Sequence, residues 1–99
     1  MDVTLLYFDD CPNWQLADAH LRSLAAERPD MQIIRRRVTT AEEAEACGFR
    51  GSPSMLIDGV DLFAAVDAPF GLACRVYQTP EGPAGSPTLD QLREVLGDR

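Results

Sequence analysis

Ninety-nine residues suffice for one domain and are too few for two, and 45% apolar residues supply a core. A formal net charge of −7 disfavours binding to a phosphate backbone, which needs a basic footprint. No apolar run approaches the roughly 20 residues that cross a bilayer. The chain is therefore expected to form one domain, residues 1–99, with neither nucleic acid nor membrane as a partner. Its acidic, strand-like start at Met1-Asp2 is unlike a signal peptide, so the expected compartment is the cytoplasm.

Val3 to Phe8 (VTLLYF) is a short apolar run rich in strand formers and is expected as a buried central strand. Asp9-Asp10-Cys11-Pro12 breaks it, and Pro12 suits the first turn of a helix, where its missing N–H does no harm. Trp14, Ala17, Leu21, Leu24 and Ala25 then recur at helical spacing, and Arg28-Pro29-Asp30 ends the helix. Met31 to Val38 is a second predicted strand. It holds Arg35-Arg36-Arg37, whose side chains alternate between faces and are expected as solvated edge-strand charge. All nine basic residues are Arg, a compositional bias without functional meaning here.

Thr40-Ala-Glu-Glu43 has the pattern of a capping box and opens a short helix to about Cys47, closed by Gly48. The loop Phe49-Arg50-Gly51-Ser52-Pro53 leads into a third strand, Ser54 to Asp58, and Gly59 turns the chain. Val60 to Ala73 fits either a wide hairpin loop or a short helical turn. Cys74 to Gln78 is expected as a fourth strand pairing with the third in a hairpin. Pro80 to Pro87 is expected as a Gly/Pro-rich loop. A second capping box, Thr88-Leu-Asp-Gln91, starts a last helix carrying Leu89, Leu92, Val95 and Leu96. The order β-α-β-α-β-β-α, with a right-handed parallel first crossover, predicts an α/β fold: a four-stranded mixed sheet with helices on both faces.

This order is that of the thioredoxin fold, and two segments resemble that superfamily at the corresponding places. Arg50-Gly51-Ser52-Pro53-Ser54 is similar to the thioredoxin Arg-Gly-X-Pro-Thr loop, whose proline is cis and opens the third strand. Cys11-Pro12-Asn13-Trp14 stands where thioredoxins and glutaredoxins carry CxxC. The CPNW-type start and a Gly-Leu-X-Cys-Arg segment, here Gly71 to Arg75, also resemble a group of short bacterial thioredoxin-like proteins. The resemblance spans nearly the whole chain. It implies thiol-disulfide exchange, with a low-molecular-weight thiol or a protein disulfide as partner and no cofactor. Trp14 replaces the second cysteine of a dithiol site, so the implied chemistry is monothiol and glutaredoxin-like.

Cys11 is accordingly the expected nucleophile. A thiolate at a helix start is stabilised by unpaired N–H groups and the helix dipole, an effect of roughly 0.3–1 kcal/mol. Asp9 and Asp10 oppose it as like charges. Trp14 is expected to shape the pocket and desolvate the sulfur. His20 lies nine residues along the chain, on the order of 13 Å up the helix, and is no local base. As in the resembling family, Arg50 would offset the acids by packing against Cys11, and Pro12, Asn13 and Trp14 would line the substrate site. Ser52 would offer its backbone, exposed by a cis Pro53, to an extended peptide or thiol ligand.

Cys47 shares i, i+3 spacing with Ala44 and Ala41 and is expected to pack; Cys47-Gly48-Phe49-Arg50 resembles a cluster-binding CGFS motif but follows the wrong element. Cys74 alternates with Val76, which predicts a buried face with Arg75 and Tyr77 turned outward; its other role would be a resolving thiol for Cys11. Asp58, Asp61 and Asp67 lack a ligand pattern and are expected as solvated turn residues, so no metal site is expected. Two rival functions stand beside thiol exchange. One is a non-catalytic module binding a peptide in the cis-proline groove. The other is capture of a soft metal or organomercurial by Cys11 and a second cysteine. The expected state is a monomer or a weak homodimer.

Overall fold

The computed structural model describes residues 1–9, 12–61, 63 and 75–97. The elements run β1 (Asp2–Tyr7), α1 (Asn13–Glu27), β2 (Gln32–Arg37), α2 (Ala41–Cys47), β3 (Ser54–Ile57), β4 (Tyr77–Thr79), β5 (Gly82–Ala84) and α3 (Leu89–Leu96). β1 is the centre of a three-stranded sheet of order β2-β1-β3. It pairs parallel with β2, Asp2 facing Gln32, and antiparallel with β3, Leu6 facing Ser54. The fold is thus mixed α/β with a small mixed sheet.

The period of β1 divides the interior in two. Val3 and Leu5 join Ala17, Leu21 and Leu24 of α1 and Leu92 and Leu96 of α3 in the larger cluster. Leu6 points the other way and packs with Val38, Ala44 of α2 and Phe49. Helices therefore lie on both faces. Cys47 is half-buried against the smaller cluster, as its spacing implied.

Local signals set most boundaries. α1 ends where Arg28 takes an extended conformation before Pro29. α2 is capped by Thr40 Oγ1, which accepts from the Glu43 N–H at 3.1 Å, and it closes on Gly48 at φ 76°. The return half of the expected box is replaced: the Glu43 carboxylate accepts instead from Thr39 Oγ1 at 2.8 Å. α3 has the complete box, with Thr88 and Gln91 each bonding the other's backbone N–H.

The region after residue 74 departs from the expected hairpin. The strand starts at Tyr77 rather than Cys74, and among the described residues it pairs with β5 and not with β3. Turn chemistry explains the change of partner. Thr79 Oγ1 accepts from the Glu81 N–H and donates to the Gly82 carbonyl, closing a two-residue turn at Pro80-Glu81. Gly82 takes φ 107°, which favours glycine. Pro83 lacks a donor but sits in a short strand of a two-stranded ribbon, where that is tolerated. The expected loop at Pro80–Pro87 thus contains a strand. Residues 62 and 64–74, most of the segment with two expected forms, lie outside the described residues, as do Cys74 and Asp67. No helix among those described is long and apolar enough to cross a membrane.

Candidate functional site

Cys11 itself, with Asp10, lies outside the described residues; what surrounds it in sequence is described on both sides. Pro12 is the N-cap of α1 and has no side-chain group to cap with. The first turn carries no acidic residue, and the Gln15 N–H bonds back to the Pro12 carbonyl at 3.2 Å. Asn13 and Trp14 follow, both half-buried. The Trp14 ring stacks on Tyr7, with centroids 4.3 Å apart and planes 25° from parallel. That stack ties the end of β1 to the first turn of α1. Asp9, one of the two acids expected to oppose a thiolate, pairs with Arg37 at 2.9 Å.

The loop before β3 lies beside this connection. The β1–β3 pairing reaches Leu6 and Ser54, and two residues beyond it the Phe8 N–H donates to Ser52 Oγ at 3.4 Å, so that Phe8 meets Ser52. The Ser52–Pro53 peptide is cis, as the Arg50-to-Ser54 segment led us to expect, and Gly51 before it has φ 108°. Ser52, Pro53 and Ser54 are buried, and Arg50 is half-buried at the head of the loop.

Ser52 does not present its backbone in the expected way. It is fully buried, and its carbonyl already accepts from the Arg75 N–H at 2.9 Å. An incoming peptide finds that acceptor engaged. Arg75 also secures the loop through its side chain, donating to Ser54 Oγ at 3.2 Å and to the Asp61 carboxylate at 2.7 and 3.4 Å. Its guanidinium lies over the Tyr77 ring, 4.6 Å from the centroid. The Tyr77 hydroxyl donates to the Pro53 carbonyl. Burial pushes the Tyr77 phenol well above its ordinary range, with Arg75 pulling weakly the other way, so the hydroxyl stays a donor.

Two expectations are corrected here. Arg75 and Tyr77 face inward while Val76 is 64% exposed, the reverse of the predicted alternation. The inversion follows from the partners: a charge is buried on that side because Asp61 neutralises it. Asp61 is therefore no solvated turn residue, whereas Asp58 is exposed and accepts from the Asp2 N–H at 2.9 Å. Arg35, Arg36 and Arg37 are exposed on the edge strand β2, as expected, and two of them also pair, Arg37 with Asp9 and Arg35 with Asp18. Arg35 Nε donates to Asp18 at 2.5 Å, and this hydrogen bond raises the Arg35 pKa above its usual value.

Asp18 escaped the sequence reading, and Asp61, Arg75 and Tyr77 were each expected in solvent. Asp18 occupies a helix face at the same period as Leu21, a weak sign that it is buried. Nothing local marks Asp61, whose partner is fourteen residues away. Among the described residues, His20 Nδ1 is buried without a hydrogen-bond partner. Searches against family models, curated proteins and solved structures give no match to this chain.

Proposed function

We propose that the chain is a thioredoxin-like thiol protein whose single working thiol is Cys11. The observation that carries this reading is the meeting of Phe8 with Ser52, which sets the loop 50–53 beside the connection from β1 to α1. In sequence that connection holds Cys11 next to an N-cap, Pro12, that has no capping group of its own. N–H groups at a helix start favour an anion, and a thiolate is one. The Asp9–Arg37 pair supports the same reading, because it reduces one of the two charges that oppose ionisation.

The reaction runs in two displacements. The Cys11 thiolate attacks one sulfur of a disulfide, forming a mixed disulfide and releasing the other sulfur as a thiolate. A low-molecular-weight thiolate then attacks the mixed disulfide, taking the substrate sulfur and restoring the Cys11 thiolate. Asn13, Trp14 and Arg50 border the substrate in this proposal, with Pro12 and Pro53 shaping the backbone on either side. Ser52 acts as an internal strut, given its engaged carbonyl.

The test is the pH dependence of Cys11 alkylation in the full chain, followed site by site by mass spectrometry with Cys11→Ser as the blank. The expected midpoint lies below about 7, against about 8.5 for an ordinary cysteine. A midpoint above about 8.5 with slow labelling overturns the proposal.

A further inference from the structure

The β4–β5 ribbon touches both borders of the site just proposed. On β4, the Tyr77 hydroxyl donates to the carbonyl of Pro53. Directly after β5, Gly85 lies against Asn13 in the first turn of α1. A Cβ placed on Gly85 would stand 2.2 Å from Asn13 Nδ2 and 2.4 Å from its Cγ, distances real atoms do not adopt. Gly85 is not among the glycines with positive φ, so what a Cβ there would meet is not a backbone limit but the Asn13 side-chain amide, which would have to turn aside. Tyr77 faces Ala84 in the ribbon's register, so both contacts leave its same end, one from each strand. That end is firmly mounted. The Tyr77 ring is buried, meets Phe63 edge-on at 5.4 Å and lies under the Arg75 guanidinium.

We infer that this end of the hairpin sets the spacing between the loop 50–53 and the first turn of α1, making Tyr77 and Gly85 positioning residues of the thiol site. Tyr77 acts through Pro53, and Gly85 acts through Asn13. The inference rests on Cys11 being the working thiol. Its structural half, the hold on the first turn of α1, is measurable without that premise.

Trp14 is the only tryptophan in the chain and stands next to Asn13, so its fluorescence reports on the first turn. Gly85→Ala is expected to increase acrylamide quenching of Trp14 and to move the midpoint of Cys11 alkylation by about half a pH unit, roughly threefold in rate below the midpoint. In an Asn13→Ala background the same substitution is expected to have no further effect, because the colliding amide is gone. Tyr77→Phe keeps the ring, loses the bond to Pro53, and is expected to shift the alkylation midpoint while leaving Trp14 quenching unchanged. The inference is overturned if folded Gly85→Ala protein matches wild type in both readouts, or if its effect persists undiminished in the Asn13→Ala background. It is likewise overturned for Tyr77 if Tyr77→Phe leaves the pH profile in place. An unreactive Cys11 in the wild type refutes the proposed function alone, and the Trp14 measurement still decides the structural half.

Discussion

The Arg75 guanidinium meets the Asp61 carboxylate at 2.7 Å, with only 9% and 8% of the two side chains exposed. A pair so far removed from water holds together by mutual neutralisation and by added hydrogen bonds, here from Arg75 to Ser54 and from the Phe63 N–H to Asp61. Removing one partner leaves the other charge buried. Asp61→Asn and Arg75→Met are each expected to cost about 3–5 kcal/mol in urea denaturation. The double substitution Asp61→Leu/Arg75→Met is expected to lose clearly less than the sum. A loss below about 1 kcal/mol for either single variant would mean that water reaches the pair.

Tyr77 predicts a specific alkaline limit. Folding raises the pKa of its phenol above the ordinary value of 10.0, chiefly through burial. Below that value both the folded and the unfolded chain hold the proton, and Tyr77 contributes no pH dependence. Above it the unfolded chain releases the proton first, so stability falls as pH rises further. Urea midpoints measured from pH 8 to 11.5 should therefore decline at the upper end, and Tyr77→Phe should flatten part of that decline.

Asp18 is 7% exposed and serves two arginines, Arg35 on the edge strand at 2.5 Å and Arg22 one helical turn on at 3.2 Å. Asp18→Asn is expected to cost about 1–3 kcal/mol, because the carboxylate is the shared acceptor and sits inside. Arg22 is 64% exposed, and Arg22→Ala is expected to cost less than about 0.5 kcal/mol, with the difference fading at high salt. Equal losses from the two variants would contradict this ranking.

The complete capping box of α3 should be measurable on its own. Thr88→Ala removes the acceptor for the Gln91 N–H and is expected to cost about 1 kcal/mol, lowering Tm by roughly 4–8 °C. An unchanged Tm would show that the packing of Leu92 and Leu96 alone fixes that helix.

Much of the fold could be read from the chain. The apolar run before Asp9, the period of Ala17, Leu21 and Leu24, the two Thr caps and the stop before Pro29 each act locally, and each element they announce is present. The Arg50-to-Ser54 loop could be read from its motif. The segment after Cys74 could not, for two physical reasons. Its hydrogen bonds are decided by the Pro80-Glu81 turn, so a stretch of Pro and Gly that suggests a loop holds β5. Its buried face is decided by Asp61, so an alternation that places apolar Val76 inside and charged Arg75 outside is inverted. The residues of the proposed site split along the same line. Asn13 and Trp14 follow from the helix start, whereas the contact of Asn13 with Gly85 joins residues 72 positions apart and leaves no local trace.

The two apolar clusters lie on opposite faces of the sheet, share the strands β1 and β3, and are unequal. α2 is seven residues long and contributes one buried residue, Ala44, to the smaller cluster, while α1 and α3 share the larger one. Opening need not be all-or-none in such a chain. Detaching α2 exposes little, so its backbone amides should exchange with solvent deuterons through a shallow local excursion. Those of β1, hydrogen-bonded on both edges and packed on both faces, should exchange only when the whole molecule unfolds.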